Sequence, residues 1–126
     1  MSRIGVFVMC YKAIFSDIDG TFLNSQHRML PGTMKIVREA AARDVPFVLV
    51  SARMPAAMRP FLQKIGVEMP LVSYSGALVL LADGTRIHSC PMKAGLALEV
   101  SEQIKKNCST AVVNLYADDS WYAEDV

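Results

Sequence analysis

Apolar and polar positions alternate along the chain in blocks whose period changes from strand-like to helix-like and back. Residues 11–16 (YKAIFS) are short and rich in strand formers, and they stop at an acidic turn, Asp17-Ile18-Asp19-Gly20-Thr21. Pro31, Gly32 and Thr33 open a helix with Thr33 as its predicted N-cap, and Met34, Val37, Ala40 and Ala41 follow at helical spacing. Residues 45–50 (VPFVLV) form an unbroken apolar run, the pattern of a parallel strand covered on both faces. Pro55 starts a second helix with Ala57, Met58, Phe61, Leu62 and Ile65 as its apolar face, and Gly66 ends it. Residues 71–74 read as a third strand. Strand, helix, strand, helix, strand predicts an α/β fold: a doubly wound parallel sheet with right-handed crossovers.

The pattern changes after Gly76. Residues 77–81 and 86–90, joined by Ala82-Asp83-Gly84-Thr85, read as a β-hairpin, because Asp-Gly favours the tight turn. Residues 93–107 read as a helix, residues 110–116 as a strand, and residues 121–126 as the opening of another. The expected division is a partial Rossmann-like core over residues 1–81 and the start of an α+β cap unit over residues 82–126. A length of 126 residues fits one domain, or one domain and part of a second.

Composition narrows the class. With 52% hydrophobic and 20% charged residues the chain is not of the disordered type. A net charge of +1 gives no basic surface for nucleic acid. No apolar run approaches the ~20 residues of a membrane span, and residues 4–9 are too short for a signal-peptide core. Cys10, Cys90 and Cys108 are odd in number and widely spaced, which speaks against a disulfide framework or a zinc site and makes them small apolar side chains. A soluble cytoplasmic protein is expected. His27 and His88 are isolated and read as surface or hairpin residues, Trp121 and Tyr122 as strand core, and Lys105-Lys106 as a solvated helix face.

Ligands of open α/β sheets bind at the carboxyl ends of the strands. Here those ends carry Asp17, Ser51 and Ser75-Gly76, with Arg53 two residues beyond Ser51. Asp17 and Asp19 lie two apart, so in extended backbone they face one side and need a cation or a shared proton. Oxygen ligands without a neighbouring histidine favour Mg²⁺ over zinc. A carboxylate can also serve as a nucleophile, with the second acid moving protons. Gly20 permits close approach of a phosphate to the backbone, and Thr21 adds a hydroxyl. Taken alone, D-x-D-G is more often a simple turn; the apolar strand before it, the Thr after it and the later Ser-x-Arg shift the balance toward chemistry.

Residues 11–23 (YKAIFSDIDGTFL) resemble the first motif of the haloacid dehalogenase-like hydrolase superfamily, and residues 45–53 (VPFVLVSAR) its second. Residues 71–78 (LVSYSGAL) with the Asp-Gly hairpin resemble its Cof-like sugar-phosphatase subfamily. The resemblance implies that Asp17 is the phosphoryl-accepting nucleophile and a Mg²⁺ ligand. It implies that Asp19 is the general acid/base, with its backbone carbonyl on the metal. Ser51 would hydrogen-bond a phosphoryl oxygen, Arg53 would lie near the phosphate, and Gly20 and Thr21 would shape the phosphate loop. Ser75 stands where the subfamily usually has Asn before Gly76. The family's third-motif lysine and fourth-motif acidic stretch have no counterpart, since Asp118-Asp119 lacks the surrounding pattern and Lys93 comes too early.

The sequence therefore reads as the amino-terminal half of a Mg²⁺-dependent phosphohydrolase of small phosphate esters. The alternatives are a catalytically incomplete fragment or an interaction module of the same fold. A phospho-accepting receiver domain is disfavoured, because its phospho-accepting Asp would follow the third strand. The edge of the first strand would be open, which predicts a homodimer or a swapped assembly. Residues 1–9 precede the family's usual start and read as an upstream start or an added edge strand.

Overall fold

The computed structural model describes residues 11–123; Cys10, residues 1–9 and residues 124–126 lie outside them. The elements are β1 (Ile14–Asp17), α1 (Pro31–Ala41), β2 (Phe47–Val50), α2 (Pro55–Ile65), β3 (Leu71–Ser73), β4 (Leu78–Leu80), β5 (Arg86–Ser89), α3 (Ala94–Asn107), β6 (Asn114–Ala117) and β7 (Ser120–Ala123). The first five strands form one sheet in the order β1-β2-β3-β4-β5, parallel across β1, β2 and β3 and antiparallel across β4 and β5. This is the expected α/β arrangement of Rossmann-like order. The sheet runs through residue 82, because the Asp-Gly hairpin supplies both β4 and β5.

Register explains the core. Ile14 aligns with Phe47, Ser16 with Leu49, and Leu49 with Leu71, so these residues share one face of the sheet. Phe47, Leu49 and Leu71 pack with Val37 and Ala40 of α1 and with Met58, Leu62 and Ile65 of α2. On the other face Phe15 is 68% exposed. Among the described residues β1 forms one edge of the sheet.

Asp17 ends β1, as its place at a strand's carboxyl end requires. Several boundaries differ from the sequence reading. Leu30, not Thr33, is the N-cap of α1, because Pro31 takes the first helical position, where its fixed φ and missing N–H are tolerated. Pro55 starts α2 in the same way, and Gly66 ends it at φ +74°, in the left-handed region where glycine is unstrained. Trp121 and Tyr122 are exposed rather than core, as are Cys90 and Cys108. Trp121 is held in other ways: its indole N–H donates to Asn114 Oδ1 at 2.9 Å, and its ring stacks on Tyr116 at 6.3 Å.

The β6–β7 hairpin is tied to the sheet by its turn. Asp119 accepts from the Ala56 N–H in the first turn of α2 at 3.0 Å and from Arg59 at 2.5 Å. Asp118 accepts from Arg86 at 2.7 Å, and its main-chain oxygen accepts from the Tyr74 hydroxyl at 2.7 Å. Exposed ion pairs stabilise by only about 0–1 kcal/mol each, so losing one loosens the hairpin without unfolding the sheet. Asp119→Ala is expected to speed hydrogen exchange over residues 114–123 while the β2 amides keep their protection; unchanged exchange in the hairpin would contradict this docking.

Candidate active site

The site begins with two apolar anchors. Ile18 and Phe22 bracket the acidic turn and are buried in the core. The Leu23 N–H donates to the Ile18 carbonyl at 2.9 Å and closes the turn. With both ends pinned inward, Asp17, Asp19, Gly20 and Thr21 remain on the surface. Gly20 has φ +78°, which a side chain would strain. Because β1, β2 and β3 are parallel, Asp17, Ser51 with Arg53, and residues 74–76 leave the sheet at the same end.

Hydrogen bonds join the loops. The Ser51 N–H donates to Val72 at 2.9 Å, the Ser75 N–H to the Ser51 carbonyl at 3.0 Å, and the Tyr74 N–H to the Arg53 carbonyl at 3.2 Å. Ser51 is buried, and its Oγ accepts the Arg53 N–H at 3.2 Å, so the hydroxyl proton can be donated elsewhere. The Arg53 guanidinium grips Asp19 through both oxygens, Nε to Oδ2 at 2.9 Å and a terminal nitrogen to Oδ1 at 2.7 Å. This fork is the strong, directional form of a carboxylate pair. It holds the Asp19 carboxyl below its ordinary value, assisted by His27, whose Nδ1 lies 3.4 Å from Oδ1. The same bonds raise Arg53 above its ordinary value.

The profile of the family described as haloacid dehalogenase-like hydrolase matches residues 14–126. The chain belongs to the haloacid dehalogenase-like hydrolases. Over 118 residues it is 35% identical to a Haemophilus influenzae protein named as a candidate phosphatase, covering 94% of this chain and 45% of that protein. It is 24% identical over 117 residues to the pyridoxal phosphate phosphatase YbhA of Escherichia coli, covering 92% of this chain and 42% of that protein. A crystal structure of TM0651 from Thermotoga maritima superposes with a TM-score of 0.78 at 26% identity, covering 92% of this chain and 43% of the other. The chain thus spans less than half the length of the curated relatives it matches.

Within this chain the predicted residues divide into two groups. Asp19, Ser51 and Arg53 are linked by hydrogen bonds, and Ser75 joins them through its backbone. Asp17, Gly20, Thr21 and Gly76 flank them on the same loops. Ser75 sits at φ +54°, a region that Asn enters more readily than Ser. The donors suited to a divalent cation are the Asp17 carboxylate and the Asp19 main-chain carbonyl. Both are hard oxygens, as Mg²⁺ prefers, and Mg²⁺ commonly keeps water ligands beside one or two carboxylates. Among the described residues no three His, Cys, Asp or Glu side chains gather into a metal-holding group, so these two oxygens would supply only part of a cation's shell.

Sequence reasoning missed four participants. His27 reaches Asp19 only because Asn24 Oδ1 accepts the Gln26 and Arg28 N–H groups at 3.0 and 2.9 Å and bends the loop back. Tyr74 lies between the site loop and the hairpin, and burial, then the Asp119 and Asp118 carboxylates, push its hydroxyl above the ordinary value, keeping it a donor. Arg59 and Arg86 meet Asp119 and Asp118 across 60 and 32 residues, a pairing no local pattern announces.

Proposed function

We propose that this crevice is part of a Mg²⁺-dependent, Cof-like phosphohydrolase site for small phosphate esters, acting through an aspartyl-phosphate at Asp17. The observation that carries the reading is the Asp19–Arg53 fork beside Asp17 at the carboxyl ends of parallel strands. Relatives named as pyridoxal phosphate phosphatase and HMP-PP phosphatase support the substrate class.

Mg²⁺, when bound, neutralises charge on the phosphoryl group. An Asp17 carboxylate oxygen attacks phosphorus, and the ester oxygen leaves, taking a proton from Asp19. Water then attacks the same phosphorus and gives a proton to Asp19, which releases phosphate and restores the Asp17 carboxylate. Asp19 is ionised while Arg53 holds it. An incoming phosphate competes for Arg53, and loosening the fork raises the proton affinity of Asp19, which takes up a proton from solvent before the ester oxygen leaves and returns one to solvent when phosphate departs and Arg53 closes the fork again. Ser51 donates to a phosphoryl oxygen, and Gly20 and Thr21 shape the loop around it. The continuous sheet through β5 serves as the catalytic core, with the residues from α3 onward as the start of a cap unit.

Among the described residues β1 has no neighbour on one side, which supports pairing with a second copy of the chain. The test is phosphate release from phenyl phosphate, with and without Mg²⁺, over a range of protein concentration. Release that stops on chelation supports the reading, and specific activity rising with concentration places it in the paired form. No release at any concentration from folded protein would overturn it. Arg53→Ala is expected to lower kcat/KM about 100-fold, because it removes both the phosphate partner and the restraint on Asp19. A change below about threefold would place Arg53 outside the reaction.

A further inference from the structure

The two oxygens of the Asp19 carboxylate are held differently. Oδ1 meets a terminal nitrogen of Arg53 at 2.7 Å and the His27 Nδ1 at 3.4 Å, whereas Oδ2 meets Arg53 Nε at 2.9 Å. A separation of 3.4 Å is longer than an ordinary N–H···O hydrogen bond. While Arg53 grips Asp19, His27 stands beside Oδ1 without a bond of its own.

The loop that carries His27 is anchored at both ends. Leu23 and Met29 pair as an antiparallel bridge, and both are buried. Between them the Asn24 N–H donates to the Arg28 carbonyl at 3.0 Å and the His27 N–H to the Asn24 carbonyl at 2.9 Å. The Asn24 side chain adds its two bonds to the Gln26 and Arg28 N–H groups. His27 itself sits at φ +54°, an uncommon conformation for a residue with a side chain. Such backbone persists where the surroundings over-determine it, and it gathers at functional sites. Here it brings an exposed imidazole to the oxygen that Arg53 must release when it turns to phosphate.

We propose that His27 is a positioning residue for Asp19: as Arg53 turns to the substrate phosphate, the His27 Nδ1–H closes on Oδ1 and stops the carboxyl from swinging, which leaves Oδ2 free for proton transfer. This rests on the crevice being the phosphohydrolase site. Long contacts of this kind in a free enzyme tighten in its working complexes. The neutral imidazole makes the bond in its Nδ1–H tautomer, and the cation makes it as well.

Two readouts on the full chain test it, and the first needs no turnover. Nitrogen NMR of the His27 ring at alkaline pH, where the imidazole is neutral, reports which nitrogen carries the proton. Arg53→Ala removes the competing donor, so the Nδ1–H share is expected to rise at least about twofold over the parent. Adding Asp19→Ala to Arg53→Ala is expected to cancel the rise. A share unchanged in Arg53→Ala, or one that rises equally without Asp19, would overturn the proposal. The second readout is hydrolysis of phenyl phosphate with Mg²⁺. His27→Ala is expected to lower kcat about tenfold with KM within about twofold, because Asp19 moves the proton while Arg53 binds the phosphate. His27→Asn is expected to bring kcat back to within about threefold of the parent, since Asn tolerates the left-handed backbone and offers an N–H donor. An unchanged kcat in His27→Ala, or an equal loss in both variants, would also overturn it. Phosphate release by a parent whose tautomer ignores Arg53→Ala overturns the His27 assignment alone. The tautomer shift without phosphate release overturns the hydrolytic reading alone.

Discussion

Asp17→Asn is expected to lower phosphate release by at least about a thousandfold, since an amide neither attacks phosphorus at a useful rate nor carries charge for a cation. The change keeps the shape of the side chain. Asp17 is exposed at the end of β1, and its backbone alone holds register with Val50. The melting temperature should therefore stay within a degree or two of the parent. Activity and circular dichroism on the same sample separate the two effects. Loss of activity with an unchanged melt assigns Asp17 to chemistry, whereas a collapsed melt would assign it to the fold.

Leu49→Ala is the largest expected stability effect. Leu49 is fully buried in β2, between Ser16 of β1 and Leu71 of β3, and it belongs to the cluster that joins the sheet to α1 and α2. Truncation removes transfer free energy and leaves a cavity that a strand bonded on both sides cannot close. The expected cost is about 3–5 kcal/mol. Small domains have about 5–15 kcal/mol in total, so the variant should be partly unfolded at room temperature or at low denaturant. Equilibrium urea unfolding measures it. A cost under about 1 kcal/mol would mean that α1 and α2 do not press on this face.

The sequence exposed the parts of the molecule that depend on local pattern. The apolar run ending at Val50, the Pro starts of α1 and α2, Gly66 at the end of α2 and the Asp-Gly hairpin all follow from rules acting over a few residues. The acidic turn was legible for the same reason, because an apolar strand runs directly into Asp17 and Thr21 follows Gly20. What stayed hidden depends on distance through space. The Asp19–Arg53 fork joins residues 34 apart, and His27 joins it through a loop bent by Asn24. Trp121 and Tyr122 looked like core because their hydrophobicity was visible and their packing was not. Thr33 looked like a cap because its residue type favours one, but Pro31 had already fixed the start of the helix.

The central claim is that Asp17 takes the phosphoryl group. The direct measurement is an acid quench of the chain during turnover of a phosphate-labelled phenyl ester with Mg²⁺, followed by peptide mapping. The account predicts hydroxylamine-labile label on the peptide containing Asp17, absent in Asp17→Asn. Phosphate released with no label on Asp17, or neither label nor release from folded protein at saturating Mg²⁺, would contradict it.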